Sequence, residues 1–205
     1  MEKPFDFILP YVAKFIENEF GEDIEIEARL GQIVLSLTDD RITFKTPHPV
    51  VFTNLSKFMK FKNGVGESDY KQLLRTVSDG AELKESHSTV FVAKGERKIV
   101  EETENGLVET YQIKNKRKCL DVYLPMFKYD LRLQISKEKK IEKSQTNFES
   151  AFSRKRVRKV VDAETVSFDF TTILDAEGKS FEAEIEMKKN INAKEFLTKI
   201  FKLLY

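Results

Sequence analysis

The sequence predicts an α+β fold, a mainly antiparallel sheet or closed barrel with flanking helices. Three observations carry this expectation. From Ser88 to Met187, short runs of alternating apolar and polar residues follow one another, separated by compact turn signals such as KGE, ENG and AEG. Helical periodicity is confined to the two ends and to a stretch near residues 54–79. Finally, 205 residues of which 40% are hydrophobic can bury a sizeable core, so residues 1–205 are expected to form one domain rather than two.

The elements follow in order. In MEKPFDFILPYVAKFIENEF, the residues Ile8, Val12, Phe15, Ile16 and Phe20 recur at helical spacing, which predicts a helix over 10–19 begun at Pro10. Glu2, Asp6 and Lys14 interrupt its apolar character, so the segment reads as neither a secretory signal nor a membrane span. IEIEARL, QIVLSL and RITFKT predict strands between 24 and 46, with turns at Gly31 and at Asp39-Asp40. NLSKFMKFKNGV and ESDYKQLLRTVSD predict helices, with Asn54 and Ser68 as N-caps. STVFVA, RKIVEET, LVETYQIK, LDVYLP, YDLRLQIS, KRVRKVV, TVSFDFTTI and SFEAEIEM predict the later strands, and AKEFLTKIFKLLY a closing helix.

Within the strands the charges are sorted. In FEAEIEM, Glu182, Glu184 and Glu186 share one face while Phe181, Ala183, Ile185 and Met187 share the other, and EIEAR begins the same pattern with Glu25 and Glu27. Arg154, Arg156 and Arg158 alternate in SRKRVRKVV. In YDLRLQISKE, Asp130, Arg132, Gln134 and Glu138 oppose Leu131, Leu133 and Ile135. A solvated sheet face explains any one of these rows. If the strands close, however, the charged rows would point inward, around an interior that about eight strands make wide enough for one small ligand. The apolar rows would then pack outward against the helices. Buried carboxylates need neutralising, which a hard divalent cation such as Mg²⁺ or Mn²⁺ does, while arginines and lysines opposite would take phosphate oxygens.

Composition narrows the other possibilities. With 35 basic and 34 acidic residues the chain has no global field to draw it to nucleic acid or membrane. One cysteine, Cys119, excludes an internal disulfide framework and fits a reducing compartment. With only His48 and His87 besides, too few ligands remain for a Cys/His zinc site, and both histidines are expected in loops or on the surface. NGVGES lacks the spacing and lysine of a phosphate-binding loop. RKRVRK would by itself suit a nucleic-acid or nuclear-import patch, so a noncatalytic barrel that binds RNA or protein is the competing reading, although it leaves the glutamate rows without a purpose.

EIEARLG followed much later by FEAEIEM resembles the paired acidic strands of the metal-dependent RNA triphosphatases of fungi, protozoa and some viruses, which are triphosphate tunnel metalloenzymes. YDLRLQISKE, RKRVR and FDFT fit the family's further motifs in the expected order, so the resemblance covers about residues 10–190. It implies a closed antiparallel eight-stranded tunnel and an enzyme that removes the γ-phosphate from nascent mRNA 5′-triphosphate ends, the first step of cap formation. Carried over residue by residue, it implies Glu25, Glu27 and Glu186 as ligands of Mg²⁺ or Mn²⁺. It gives Glu138 the orientation of the attacking water. Arg156 and Arg158, with Arg154 as the register alternative, would contact the γ-phosphate, and Lys114 or Lys116, with Arg97, would add cationic contacts. Glu182, Glu184, Asp169, Thr171, Arg132 and Arg29 would support these groups. Implied partners are the RNA 5′-triphosphate end, free nucleoside triphosphates with Mn²⁺ and an mRNA guanylyltransferase, for a nuclear monomer or homodimer without membrane attachment. A tunnel-fold nucleoside triphosphatase or polyphosphatase is the alternative within the same family.

Two departures from the family pattern stand out. Arg29 occupies the place where the bacterial branch has lysine, and a helical segment precedes the first acidic strand, both of which favour the fungal type. Ser167 stands where an arginine would precede the Asp-x-Thr. The cysteine-phosphatase type of RNA triphosphatase is excluded, since Pro125 occupies the place of its phosphate-binding arginine after Cys119.

Overall fold

The computed structural model describes residues 4–142 and 144–204. Its elements are α1 (Pro4–Ile16), β1 (Ile24–Leu35), β2 (Val50–Phe52), β3 (Met59–Asn63), α2 (Glu67–Ser78), β4 (Leu83–Ala93), β5 (Glu96–Thr103), β6 (Gly106–Tyr123), β7 (Asp130–Ile141), β8 (Phe152–Asp162), β9 (Val166–Asp175), β10 (Gly178–Met187) and α3 (Ala193–Leu204). Strands run in the order β10-β9-β8-β4-β5-β6-β7-β1, and β1 pairs back onto β10, closing an antiparallel eight-stranded barrel. β2 and β3 are additions, on β6 and β1 respectively. The predicted barrel with flanking helices is the fold observed. No described helix is long and apolar enough to cross a membrane.

Closure follows from the two-sided patterning. Ile26, Ala28 and Leu30 of β1, Leu131, Leu133 and Ile135 of β7, Phe168 and Phe170 of β9, and Ala183, Ile185 and Met187 of β10 all belong to one buried cluster. The same cluster takes Ile8, Val12, Phe15 and Ile16 from α1 and Phe196, Leu197, Ile200 and Phe201 from α3. The apolar faces thus pack outward beneath the helices, each large side chain contributing about 1.5–3 kcal/mol by burial. Aromatic contacts tie the layers together. Phe201 meets Phe5 at 5.8 Å and Phe127 at 5.6 Å, and Tyr70 of α2 meets Phe170 at 5.7 Å and Phe181 at 5.1 Å.

Several predicted elements are corrected. α1 begins at Pro4 and ends at Ile16, with Pro10 inside it, because burial of Ile8 and Val12 on the barrel outweighs the backbone hydrogen bond that Pro10 cannot donate. β1 runs straight through Gly31, where no turn occurs. β3 crosses so closely there that a Cβ would lie 2.3 Å from the Lys62 carbonyl oxygen. The helix expected from NLSKFMKF is replaced by β3, in which Met59, Phe61 and Asn63 alternate with Lys60 and Lys62, a period of two that pairing with β1 exploits; Asn54 caps nothing. RITFKT forms only an isolated bridge between Arg41 and Val34, since the Arg41 side chain is committed to Asp130. α2 is capped by Gly66 rather than Ser68, which falls in the first turn. LVETYQIK and LDVYLP merge into the 18-residue β6, whose register against β7 shifts between Lys116 and Lys118. The KGE turn holds Lys94 and Gly95 at φ 49° and 80°, the left-handed pair a tight hairpin needs. His48 is exposed as expected, and His87 is exposed but lies on a strand, β4. Tyr205, at the end of the predicted closing helix, lies outside the described residues.

Candidate active site

The inward faces of the barrel carry the charges. β1 supplies Glu25, Glu27 and Arg29, and its pairing with β10 sets Glu27 opposite Glu186 and Arg29 opposite Glu184. β8 supplies Arg154, Arg156 and Arg158. With Arg97 and Ile99 of β5, Gln112 and Lys114 of β6, Glu138 of β7, Thr171 of β9, and Glu182 and Glu184 of β10, they line a cavity of 160 Å³. The two acidic stretches, far apart in the chain, therefore meet edge to edge because the barrel closes between β1 and β10.

Inside the cavity the charges are unevenly matched. Arg29 bridges the two acidic strands, with Nη2 2.8 Å from Glu27 Oε1 and Nε 3.2 Å from Glu184 Oε1. Lys114 Nζ pairs with Glu25 and lies 3.8 Å from Glu27 Oε2. Arg158 pairs with the buried Asp169 and approaches Glu186 Oε2 at 3.7 Å. Arg97 reaches Glu138 only at 3.9 Å. Arg154 and Arg156 have no ion-pair partner among the described residues, and the Nε of each is buried without a hydrogen bond. Three guanidinium groups thus crowd one wall. Burial, with Arg154 and Arg97 nearby, pulls Arg156 down to about 10.

The acidic wall shows the opposite strain. Burial pushes the Glu186 carboxyl up to about 7, reinforced by Glu25 and Asp169 and opposed by Arg158. Glu184 is also raised to about 7, by burial and by Glu27 and Glu182, against the pull of Arg29. Glu25 is raised by burial and by Glu27, with Lys114 opposing. Among the described residues no three carboxylate, histidine or cysteine side chains already converge into a finished metal shell. The donor set nevertheless fits a hard divalent cation: oxygen donors alone, on adjacent strands, with Glu25 and Glu186 raised by burial and by neighbouring carboxylates.

Most of the residues singled out from the sequence are brought together here. The exceptions are instructive. Lys116 is exposed and lies just before the β6 register shift, so Lys114 is the lysine that lines the cavity. Arg132 faces inward but is held by Asp121 at 2.6 and 3.0 Å and stacks on Phe61, 4.6 Å from the ring centroid. Glu186 and Asp169 stand behind Arg158 rather than on the cavity lining. Ser167 is buried opposite Glu186, leaving Arg158 as the residue that engages Asp169. Four participants were not assigned a role from sequence. Ile99 and Gln112 line the cavity, Gln134 donates to Glu27, and Asn63 donates to Glu182 at 3.2 Å. Alternation from Lys114 and Arg132 reaches Gln112 and Gln134. Asn63 lay hidden in a segment that reads as helix.

The family model described as the mRNA capping enzyme beta chain matches residues 5–103. No curated protein matches the chain in sequence at a significant level. Among solved structures, the chain is similar to the S. pombe Pct1 RNA triphosphatase, with 17% identity and a TM-score of 0.74, covering 92% of this chain and 79% of that one. It is also similar to Pct1 in complex with the Spt5 CTD, with 16% identity and a TM-score of 0.80, covering 99% and 92%. The RNA triphosphatase domain of a trifunctional mimivirus mRNA capping enzyme is similar at 8% identity and a TM-score of 0.52, covering 97% and 94%. At these identities the solved structures establish a shared fold.

Proposed function

We propose that this chain, whose residues 5–103 match the family model described as the mRNA capping enzyme beta chain, removes the γ-phosphate from RNA 5′-triphosphate ends. On this reading it is a hydrolase of phosphoric anhydrides acting in mRNA capping. The observation that carries the assignment of roles is the mismatch inside the tunnel: arginines without carboxylate partners on one wall, carboxylates short of cations on the other.

Arg154, Arg156 and Arg97 would take the non-bridging oxygens of the γ-phosphate, their surplus charge offsetting that of the substrate. Arg158 is held in place by Asp169 and reaches from β8 toward the acidic wall. Glu138 would orient a water for in-line attack on the γ-phosphorus, as an acceptor for one of its protons. The water oxygen forms the new bond to phosphorus, the bond to the bridging oxygen breaks, and inorganic phosphate leaves a diphosphate-ended RNA. Lys114, between Glu25 and Glu27, would meet charge developing on the leaving diphosphate. Glu25, Glu27 and Glu186 would hold a divalent cation, Mg²⁺ or Mn²⁺, which when bound supplies charge neutralisation to the phosphates.

The deciding measurement is phosphate release from γ-labelled triphosphate-ended RNA with Mg²⁺ or Mn²⁺, for the intact chain and for Glu25→Ala, Glu186→Ala and Arg156→Ala, each checked for folding. Release that depends on the metal and falls at least 100-fold in all three variants supports the assigned roles. A folded intact chain that releases nothing with either metal removes them. ATP run alongside separates RNA from free nucleotide as the better substrate. Because the S. pombe relative is bound to the Spt5 CTD and the mimivirus enzyme is trifunctional, we also propose a protein partner of the capping machinery, such as a guanylyltransferase, beside the RNA.

A further inference from the structure

Gln134 of β7, Glu27 of β1 and Glu186 of β10 form one transverse row, since Glu27 is the register partner of both. Glu27 is only 2% exposed, so the partners of each of its oxygens decide where its free lone pairs point. Oε1 is committed twice: it accepts from Gln134 Nε2 at 2.7 Å and faces Arg29 Nη2 at 2.8 Å. Among the described residues Oε2 has only Lys114 Nζ, at 3.8 Å, beyond hydrogen-bond range. A carboxylate only accepts, so the amide nitrogen of Gln134 must face it, and the same nitrogen is steadied by the buried Ser136 Oγ at 3.1 Å.

We infer that Gln134 is a positioning residue for the metal site: by occupying Glu27 Oε1 together with Arg29, it turns Oε2 toward the space between Glu25 and Glu186 where a divalent cation would be held. The inference rests on the metal-dependent reading above. Neutrality of the side chain is part of the device. Arg29 is shared between Glu27 and Glu184, Lys114 between Glu25 and Glu27, and Arg158 is drawn to Asp169, so the acidic row keeps a charge deficit. A cation at position 134 would fill that deficit and compete with the metal, whereas an amide fixes the carboxylate without doing so.

The test is Mn²⁺ binding without substrate, followed by loss of the free-ion electron paramagnetic resonance signal, in the full chain, in Gln134→Met, which keeps the volume and removes the donor, and in Gln134→Lys, which keeps a donor and adds charge. Partners that orient a metal ligand typically contribute 10–100-fold in affinity. We expect the Mn²⁺ Kd to weaken by about that factor in Gln134→Met, with the melting temperature in chelator little changed, and to weaken at least as much in Gln134→Lys. Unchanged Mn²⁺ affinity in a folded Gln134→Met overturns the positioning role, and wild-type affinity in Gln134→Lys overturns the requirement for neutrality. Should Gln134→Met fail to fold, Ser136→Ala, which frees the amide, is read the same way, with a smaller loss expected and none overturning the role. No Mn²⁺ binding by the intact chain would instead remove the metal reading itself.

Discussion

Two charged clusters inside one barrel behave in opposite ways. At Asp130, fully buried, every oxygen is used: Oδ2 accepts from the Ile33 amide at 2.8 Å and from Arg41 Nε at 3.2 Å, and Oδ1 from Arg41 Nη2 at 2.6 Å and the Leu124 amide at 3.0 Å. Arg41 also donates to the carbonyls of Phe127 and Leu124. In the tunnel, Arg154 and Arg156 have buried nitrogens with no partner among the described residues, and Glu184, with Glu186 behind Arg158, is raised by burial and by neighbouring carboxylates. A saturated cluster can only hold the chain together. An unsaturated one, kept at a cost in folding free energy, is complementary to something not part of the chain, and the sign of each surplus says what: anion at the arginines, cation at the glutamates.

The largest expected effect tests the saturated side. Asp130→Ala leaves the half-buried Arg41 and two buried backbone amides without their acceptor, so it should cost about 3–5 kcal/mol, the usual penalty for breaking a buried pair. A urea titration reads this directly, and a midpoint near that of wild type would mean that Asp130 is not the clamp its geometry describes. Next is the unsaturated side. Arg156→Ala should lower kcat by about 10²–10³, as for other preorganised transition-state donors, while the melting temperature stays level or rises, because a buried cation crowded by Arg154 and Arg97 is removed. A variant that loses stability in step with activity would place Arg156 with Asp130, among the structural residues. A third, intermediate effect asks whether the surplus is filled by ligand. Inorganic tripolyphosphate at about 100 times its Kd should stabilise the chain by about 2.7 kcal/mol, and Arg156→Ala should abolish most of that gain. Equal stabilisation of both proteins would locate the anion elsewhere.

The contrast also explains what could be read in advance. Rows of like charge at period two survive in the one-dimensional sequence, so both acidic strands and the arginine strand were visible, and a resemblance then ordered them. The closure that brings Glu27 opposite Glu186 needs residues far apart in the chain, and only the motif order hinted at it. The saturated cluster was invisible, because Arg41 and Asp130 are 89 positions apart and Arg41 sits in RITFKT, whose alternation imitates a strand. MKFKN, which forms β3, reads as helix because it is short and its lysines suit a helix surface as well as a strand edge. The choice between Lys114 and Lys116 turned on a register shift that alternation cannot foresee.

The smallest effect concerns charges that are neither clamped nor in surplus. Exposed Asp162 sits between Lys84 and Lys188, and hydrogen bonds from these two, Lys188 first, hold its carboxyl down at about 2, below the ordinary 3.8. A depressed carboxylate contributes stability above the unfolded value and loses it as pH falls through the folded one. The window is therefore pH 3.8 down to about 2. Solvent screens an exposed pair, so Asp162→Asn should lower the melting temperature only slightly at pH 7, and high salt should erase the difference. The gap between wild type and Asp162→Asn should narrow within that acid window, tracked by thermal melts from pH 5 downward. A large, salt-resistant loss at pH 7 would show that exposure alone does not separate weak ion pairs from structural ones in this barrel, and that saturation of the kind seen at Asp130 extends to its surface.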